Sequence, residues 1–79
     1  MSHLRVVSPE RVVFDGEVMC VIVPGAMGEF EILEHHAPII SSLEKGEIFY
    51  TTEDGKKSLS VTSGFVKVNA NEVSACVEI

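Results

Sequence analysis

Seventy-nine residues, 46% of them hydrophobic, with 12 acidic and 6 basic side chains and a net charge of −6, describe one small acidic domain spanning residues 1–79. The negative balance repels phosphate backbones and anionic bilayers, which argues against nucleic acid as a partner. No apolar run approaches the roughly 20 residues of a membrane span, and no basic start leads into an apolar stretch, so neither a spanning segment nor a signal peptide is expected.

Period-two alternation bounded by turn residues recurs along the chain, and no window of helical length carries a clean apolar stripe. Leu4 to Ser8 reads as a first strand, interrupted at Pro9, and Arg11 to Phe14 as a second. Asp15-Gly16 has the composition of a tight hairpin turn. Glu17 to Val23 is apolar on both parities, which predicts a strand covered on both faces. Pro24-Gly25 then reads as a type II turn.

Pro24 to Gly46 is the one long interruption of the pattern, with two of the three prolines, three of the six glycines and an adjacent histidine pair. Glu29 to Leu33 reads as a brief strand inside it, and His36-Ala37-Pro38 as a turn leading to the apolar edge Ile39, Ile40 and Leu43. Glu47 to Thr52 and Lys57 to Ser63 alternate around Glu53-Asp54-Gly55-Lys56, a second hairpin signal. Apolar parity switches between Leu59/Val61 and Val66/Val68, which predicts a β-bulge at Gly64. Asn69-Ala70-Asn71 turns the chain into a last strand carrying Val73, Ala75, Val77 and Ile79. About eight to ten short strands favour an all-β, two-sheet antiparallel sandwich, because an antiparallel sheet buries its apolar face against another sheet.

Few residues suggest chemistry. Cys20 and Cys76 each lie in an apolar run, the setting of reduced, buried thiols in a reducing compartment. Gly25-Ala26-Met27-Gly28 matches the clamp of RNA-binding KH domains in letters only, without the helices that fold needs. His35 and His36 are adjacent and point apart on an extended backbone, and neither cysteine has a partner at zinc spacing. No nucleophile is tied to a base, so neither an enzyme nor a cofactor is expected. Glu29, Glu31 and Glu34 fit a solvated loop. Phe30, Ile32, Leu33, Ile39 and Ile40 are more than a small sandwich buries easily, and leftover apolar surface points to a partner.

Val6-Val7-Ser8-Pro9-Glu10, Phe14-Asp15-Gly16, Val23-Pro24-Gly25 with Gly28-Glu29, Ile32-Leu33, His36-Ala37-Pro38 and Ser63-Gly64-Phe65 stand in order and spacing that resemble the N-terminal β-sandwich of the F-type ATP synthase epsilon subunit. The resemblance covers essentially the whole chain. It implies a non-catalytic rotor subunit of the central stalk that links the gamma subunit to the polar loops of the c-ring and supports coupling of proton transport to ATP synthesis. Such a subunit is peripheral, without direct membrane insertion, on the cytoplasmic face of a bacterial inner membrane. Carried over by position, Glu29 faces the c-ring, whereas Ser8, His36 and Ser41 face gamma.

Two positions depart from the family pattern. Glu34-His35 replaces the usual Pro-Gly, and Ser63 replaces the first glycine of a Gly-Gly pair. Family members commonly continue into a two-helix domain beyond the position of Ile79, so no self-contained inhibitory switch and no nucleotide site are expected in these residues. The alternative from another class is a free-standing peptide- or small-molecule-binding β-sandwich on the same scaffold, because fold alone does not fix function.

Overall fold

Alternating burial along each segment produces nine strands in the computed structural model, which describes residues 1–79. They are β1 (Ser2–Val7), β2 (Val12–Val18), β3 (Cys20–Gly25), β4 (Gly28–Ile32), β5 (Ile39–Leu43), β6 (Gly46–Thr52), β7 (Gly55–Val61), β8 (Ser63–Asn69) and β9 (Glu72–Glu78). The hydrogen-bonded path runs β2-β1-β9-β8-β5-β3-β6-β7, with β4 on the other edge of β3. It curls into two layers, β2-β1-β9-β8-β5 and β4-β3-β6-β7. The layers join where Gly25 pairs with Leu43, flanked by Ala26 N–H donating to the Ser42 carbonyl and Glu44 N–H donating to that of Pro24.

Fifteen buried apolar residues fill the space between the layers, and every strand contributes at least one. Valine dominates because its branched side chain packs well on a pleated surface. On the side opposite the β5–β3 join, the rings of Phe14 on β2 and Tyr50 on β6 meet at 4.6 Å between centroids. This closes the second flank of the sandwich.

Most of the expected pairing is antiparallel, but β1 and β9 run parallel, from His3 beside Glu72 to Val7 beside Cys76. These strands are joined only through the rest of the chain, so no hairpin dictates their direction.

Four local expectations are corrected. Asp15-Gly16 lies inside β2, opposite Arg5 and Leu4. The turn sits earlier, at Ser8 to Arg11, where Ser8 N–H donates to the Arg11 carbonyl and Ser8 Oγ accepts from Arg11 N–H. Self-bonding serine before a proline provides the turn that the Asp-Gly pair was expected to make.

The doubly apolar run from Glu17 to Val23 is two strands meeting at a corner. Met19 bends the chain from one layer to the other, its N–H donating to the Thr51 carbonyl. Val18 faces the core before the corner and Val21 and Val23 after it, which places core residues on both parities without covering both faces.

Pro24-Gly25 ends β3 as paired strand, and Ala26-Met27 forms the turn. Gly64 forms no bulge, because β8 and β9 pair in unbroken register from Ser63 beside Glu78 to Asn69 beside Glu72. Parity switches instead at Thr62, a second corner between layers. Gly64 is required for another reason: a Cβ there would lie 2.3 Å from the Cys76 carbonyl oxygen, at a φ of +155°.

Candidate functional site

The interruption from Pro24 to Gly46 resolves into a hairpin, a loop and an edge strand. Gly25 pairs with Gly28 across the two-residue tip Ala26-Met27, and Gly28 takes a φ of +123° that a side chain would resist. The tip projects fully: Met27 is 101% exposed, and Ala26, Gly28 and Glu29 are exposed beside it. Glu29 lies opposite Pro24, on the solvent side of β4 together with Glu31, and forms no ion pair. An unprotected methionine next to an unpaired carboxylate gives this tip both apolar and acidic character.

Beyond β4, the segment from Leu33 to Pro38 turns back along the opposite end of the sandwich. His35 holds a φ of +61°, in the left-handed region that glycine enters most readily, and its N–H donates to Asn71 Oδ1 at 3.1 Å. Glu34-His35 therefore forms a turn without proline or glycine. Glu34 pairs with the Met1 ammonium, whose hydrogen bond and charge hold its carboxyl below the usual range, with a smaller contribution from His35. His36 N–H donates to the Leu33 carbonyl at 3.2 Å, and its Nδ1 sits 2.8 Å from the Ala37 carbonyl oxygen.

Of the five surplus apolar residues in this region, Ile32 is buried and Phe30 and Ile39 pack against the core. Leu33 and Ile40 remain 55% and 73% exposed.

Ser8, His36 and Ser41 do not form one cluster. Ser8 follows β1 at the hairpin-tip end of the first layer, whereas His36 precedes β5 at the far end. Ser41 sits on β5, three strand spacings or roughly 14 Å across from Ser8. Its partner is the buried Val66, so it lies on the core-side parity and is half-buried, while its neighbours Ile40 and Ser42 face out. Of the three, Ser8 alone adjoins the outer face of the β2-β1-β9-β8-β5 layer, where it lines a groove with Phe65 and Cys76.

That outer face carries a feature the sequence pattern did not reveal. Register places Val12, Val7, Cys76 and Phe65 side by side across β2, β1, β9 and β8. Val12 and Phe65 are 45% and 48% exposed, and Val7 and Cys76 half-buried, so a band of apolar surface crosses the layer. Ser8, Gly64, Phe65 and Cys76 line a shallow groove at its end. A second groove, lined by Pro38, Ile40 and Lys67 among others, opens near the His36 loop. Cys76 thus belongs to the outer band, and Cys20 is half-buried with Sγ 3.6 Å from Thr51 Oγ1; neither is the fully buried thiol that the apolar runs suggested. The parallel β1–β9 pairing assembles the band, and no periodicity within a single segment encodes it.

No three of the His, Cys, Asp and Glu side chains are placed to hold a metal ion. No helix is long and apolar enough to cross a membrane. The geometry offers recognition surfaces: a protruding tip at one end and an apolar band on one face.

Comparison with known proteins gives these surfaces a context. The family model for the ATP synthase delta/epsilon chain β-sandwich domain matches residues 1–79. The ATP synthase epsilon chain of Desulfitobacterium hafniense is 46% identical over 71 residues, covering 90% of this chain and 54% of that protein. The epsilon chain of Carboxydothermus hydrogenoformans is 44% identical over 70 residues, covering 89% and 52%. The chain therefore spans about half the length of these relatives. Among solved structures, a chain of the Euglena gracilis mitochondrial ATP synthase (OSCP/F1/c-ring) superposes with a TM-score of 0.86 at 22% identity, covering 94% of this chain and 48% of that one. A chain of the Tetrahymena thermophila mitochondrial ATP synthase central stalk and c-ring gives 0.80 at 16% identity, covering 99% and 63%. At these identities the likeness concerns the fold.

Proposed function

The chain belongs to the ATP synthase delta/epsilon-chain β-sandwich family, and from that membership we propose that it is the sandwich part of a non-catalytic central-stalk subunit linking the gamma subunit to the c-ring. The family match across residues 1–79 carries this reading, and the surfaces support it. A rotor adaptor must bind one partner along its side and another at its tip. The apolar band with Ser8 at its end suits gamma, because well-packed apolar area at an interface centre supplies most binding energy, and family position adds His36 and Ser41 to the same partner.

The hairpin tip suits the c-ring. Glu29 is unpaired in the isolated chain, so a polar or basic loop offered to it completes a charge pair without breaking one. Met27 supplies apolar contact beside it. The resulting complex is membrane-associated through the c-ring, on the cytoplasmic face of a bacterial inner membrane, and proton transport is coupled to ATP synthesis through the stalk.

Titration of the chain against isolated gamma subunit, followed by reconstitution of an epsilon-depleted synthase, tests the proposal. Micromolar or tighter binding and recovered proton pumping are expected. A chain that stays monomeric without affinity for gamma would return the free-standing binding sandwich to first place.

A further inference from the structure

One cluster of titratable side chains shares the outer face of the first layer with the apolar band but lies nearer the start of β1. His3 on β1 stands opposite Glu17 on β2 and Glu72 on β9, and Asp15 on β2 stands opposite Arg5. The His3 ring uses both nitrogens: Nδ1 lies 3.1 Å from Glu17 Oε2, and Nε2 lies 2.5 Å from Asp15 Oδ1. Arg5 Nη1 donates to the second Asp15 oxygen at 2.9 Å. An ionised carboxylate only accepts, and a neutral imidazole carries one N–H, so only the doubly protonated ring satisfies both contacts.

β2 is an edge strand that hydrogen-bonds to β1 alone within its layer, and its register slips between Val6 and Val7 near the Ser8 turn. The His3 contacts grip its other end. We propose that protonated His3 is a latch that holds edge strand β2 against β1, and that loss of the proton loosens this edge of the sandwich.

Three carboxylates face the ring, Asp15 and Glu17 from β2 and Glu72 from β9, against one guanidinium, Arg5, on its own strand. The Asn71 carbonyl accepts the His3 backbone N–H at 2.8 Å and fixes where the ring begins. Hydrogen bonds to Asp15 and then Glu17 raise the imidazole pKa above its ordinary value, with smaller charge contributions from Asp15 and Glu72. A group whose folded pKa is raised stabilises fully below its unfolded value of about 6.5 and loses that effect as pH climbs through the folded value. Deprotonation leaves one carboxylate without its donor, and the remaining cation, Arg5, pairs with Asp15 alone. The side chains are 37% to 57% exposed, so solvent confines the effect to the strand edge.

The test follows the His3 ring signals by NMR across pH in the wild-type chain and in the Asp15→Asn/Glu17→Gln variant, with amide exchange of β2 compared between wild type and His3→Gln at each pH. The expected result is a His3 midpoint above 6.5 that falls in the double variant. In parallel, extra β2 protection over His3→Gln should be present below the midpoint and lost above it. A wild-type His3 midpoint at or below the ordinary value, or β2 protection relative to His3→Gln that does not change with pH, would overturn the latch. The exchange comparison decides the matter alone should the double variant fail to fold, and neither readout depends on gamma or the c-ring.

Discussion

The hairpins β3–β4 and β6–β7 share one backbone design and differ in what they present. In each, the pair closing the tip ends in a glycine of strongly positive φ, Gly28 at +123° and Gly55 at +111°, after two tip residues. At β6–β7 the tip is Glu53-Asp54, and Thr52 Oγ1 accepts from Asp54 N–H, a side chain serving the turn itself. At β3–β4 the tip is Ala26-Met27, with the methionine wholly in solvent. Turn geometry is satisfied equally by both. Nothing in the folding of the hairpin calls for an exposed methionine, which leaves the β3–β4 tip free to serve the proposed c-ring contact, whereas the β6–β7 tip reads as a solubilising turn.

Breaking the glycines separates conformational need from spatial need. The largest effect is expected at Gly64, where a Cβ meets backbone as well as an unfavourable φ, because the Cys76 carbonyl cannot rotate away. Gly64→Ala should lose more than about 3 kcal/mol in urea denaturation, or fail to fold. At Gly28 and Gly55 a Cβ meets nothing within 4 Å, so only backbone strain opposes it. Gly28→Ala and Gly55→Ala should each cost about 1 to 2 kcal/mol, and the two costs should match. Unequal losses would show that the hairpins are not the same device.

This equivalence was only partly legible in the sequence. The Glu53-Asp54-Gly55-Lys56 turn could be read directly, because a charged pair before glycine interrupts clear alternation on both sides. At the other tip, Pro24-Gly25 looked like the turn, since Pro and Gly punctuate chains most strongly; yet strand pairing continues through both residues to Gly28. Corners misled in the same way. Met19 and Thr62 carry the chain between layers and each shifts apolar parity by one, which reads in one dimension as a doubly covered strand or a bulge. Strand residues were otherwise placed well, because half-buried strands impose their own alternation. The apolar band was illegible for a different cause: Phe65 and Cys76 are hairpin neighbours, as are Val7 and Val12, but the parallel pairing of Val7 with Cys76 joins the two hairpins from opposite ends of the chain. Glu29, Ser8, His36 and Ser41 came from family position, and local chemistry alone singles out none of them.

His35 offers a smaller effect at the other end of the same loop region. Its left-handed backbone is uncommon for a side-chain-bearing residue, although histidine tolerates it better than most. His35→Gly should remove about 1 kcal/mol or more of strain while adding back some of it as unfolded-chain entropy. A net gain of up to about 1 kcal/mol, read as a higher urea midpoint with unchanged m-value, is expected. A loss would mean that the imidazole makes contacts outweighing its strained backbone.

The smallest stability change should accompany the largest change in binding, which makes the exchange of tips the most discriminating experiment. Ala26→Glu/Met27→Asp places the β6–β7 tip on β3–β4, and Glu53→Ala/Asp54→Met does the reverse. Both tips lie in solvent, and the bond from Asp54 N–H to Thr52 is made by backbone that the reverse exchange retains. Each double variant should therefore stay within about 0.5 kcal/mol of the wild type. The first should nonetheless weaken association with a c-ring–gamma subcomplex, because it removes the exposed apolar contact and adds two negative charges beside Glu29. The second should bind as the parent does. Co-sedimentation of each variant with that subcomplex separates the outcomes: equal binding by both would make Met27 an incidental exposure and reduce the two hairpins to one design with two decorations.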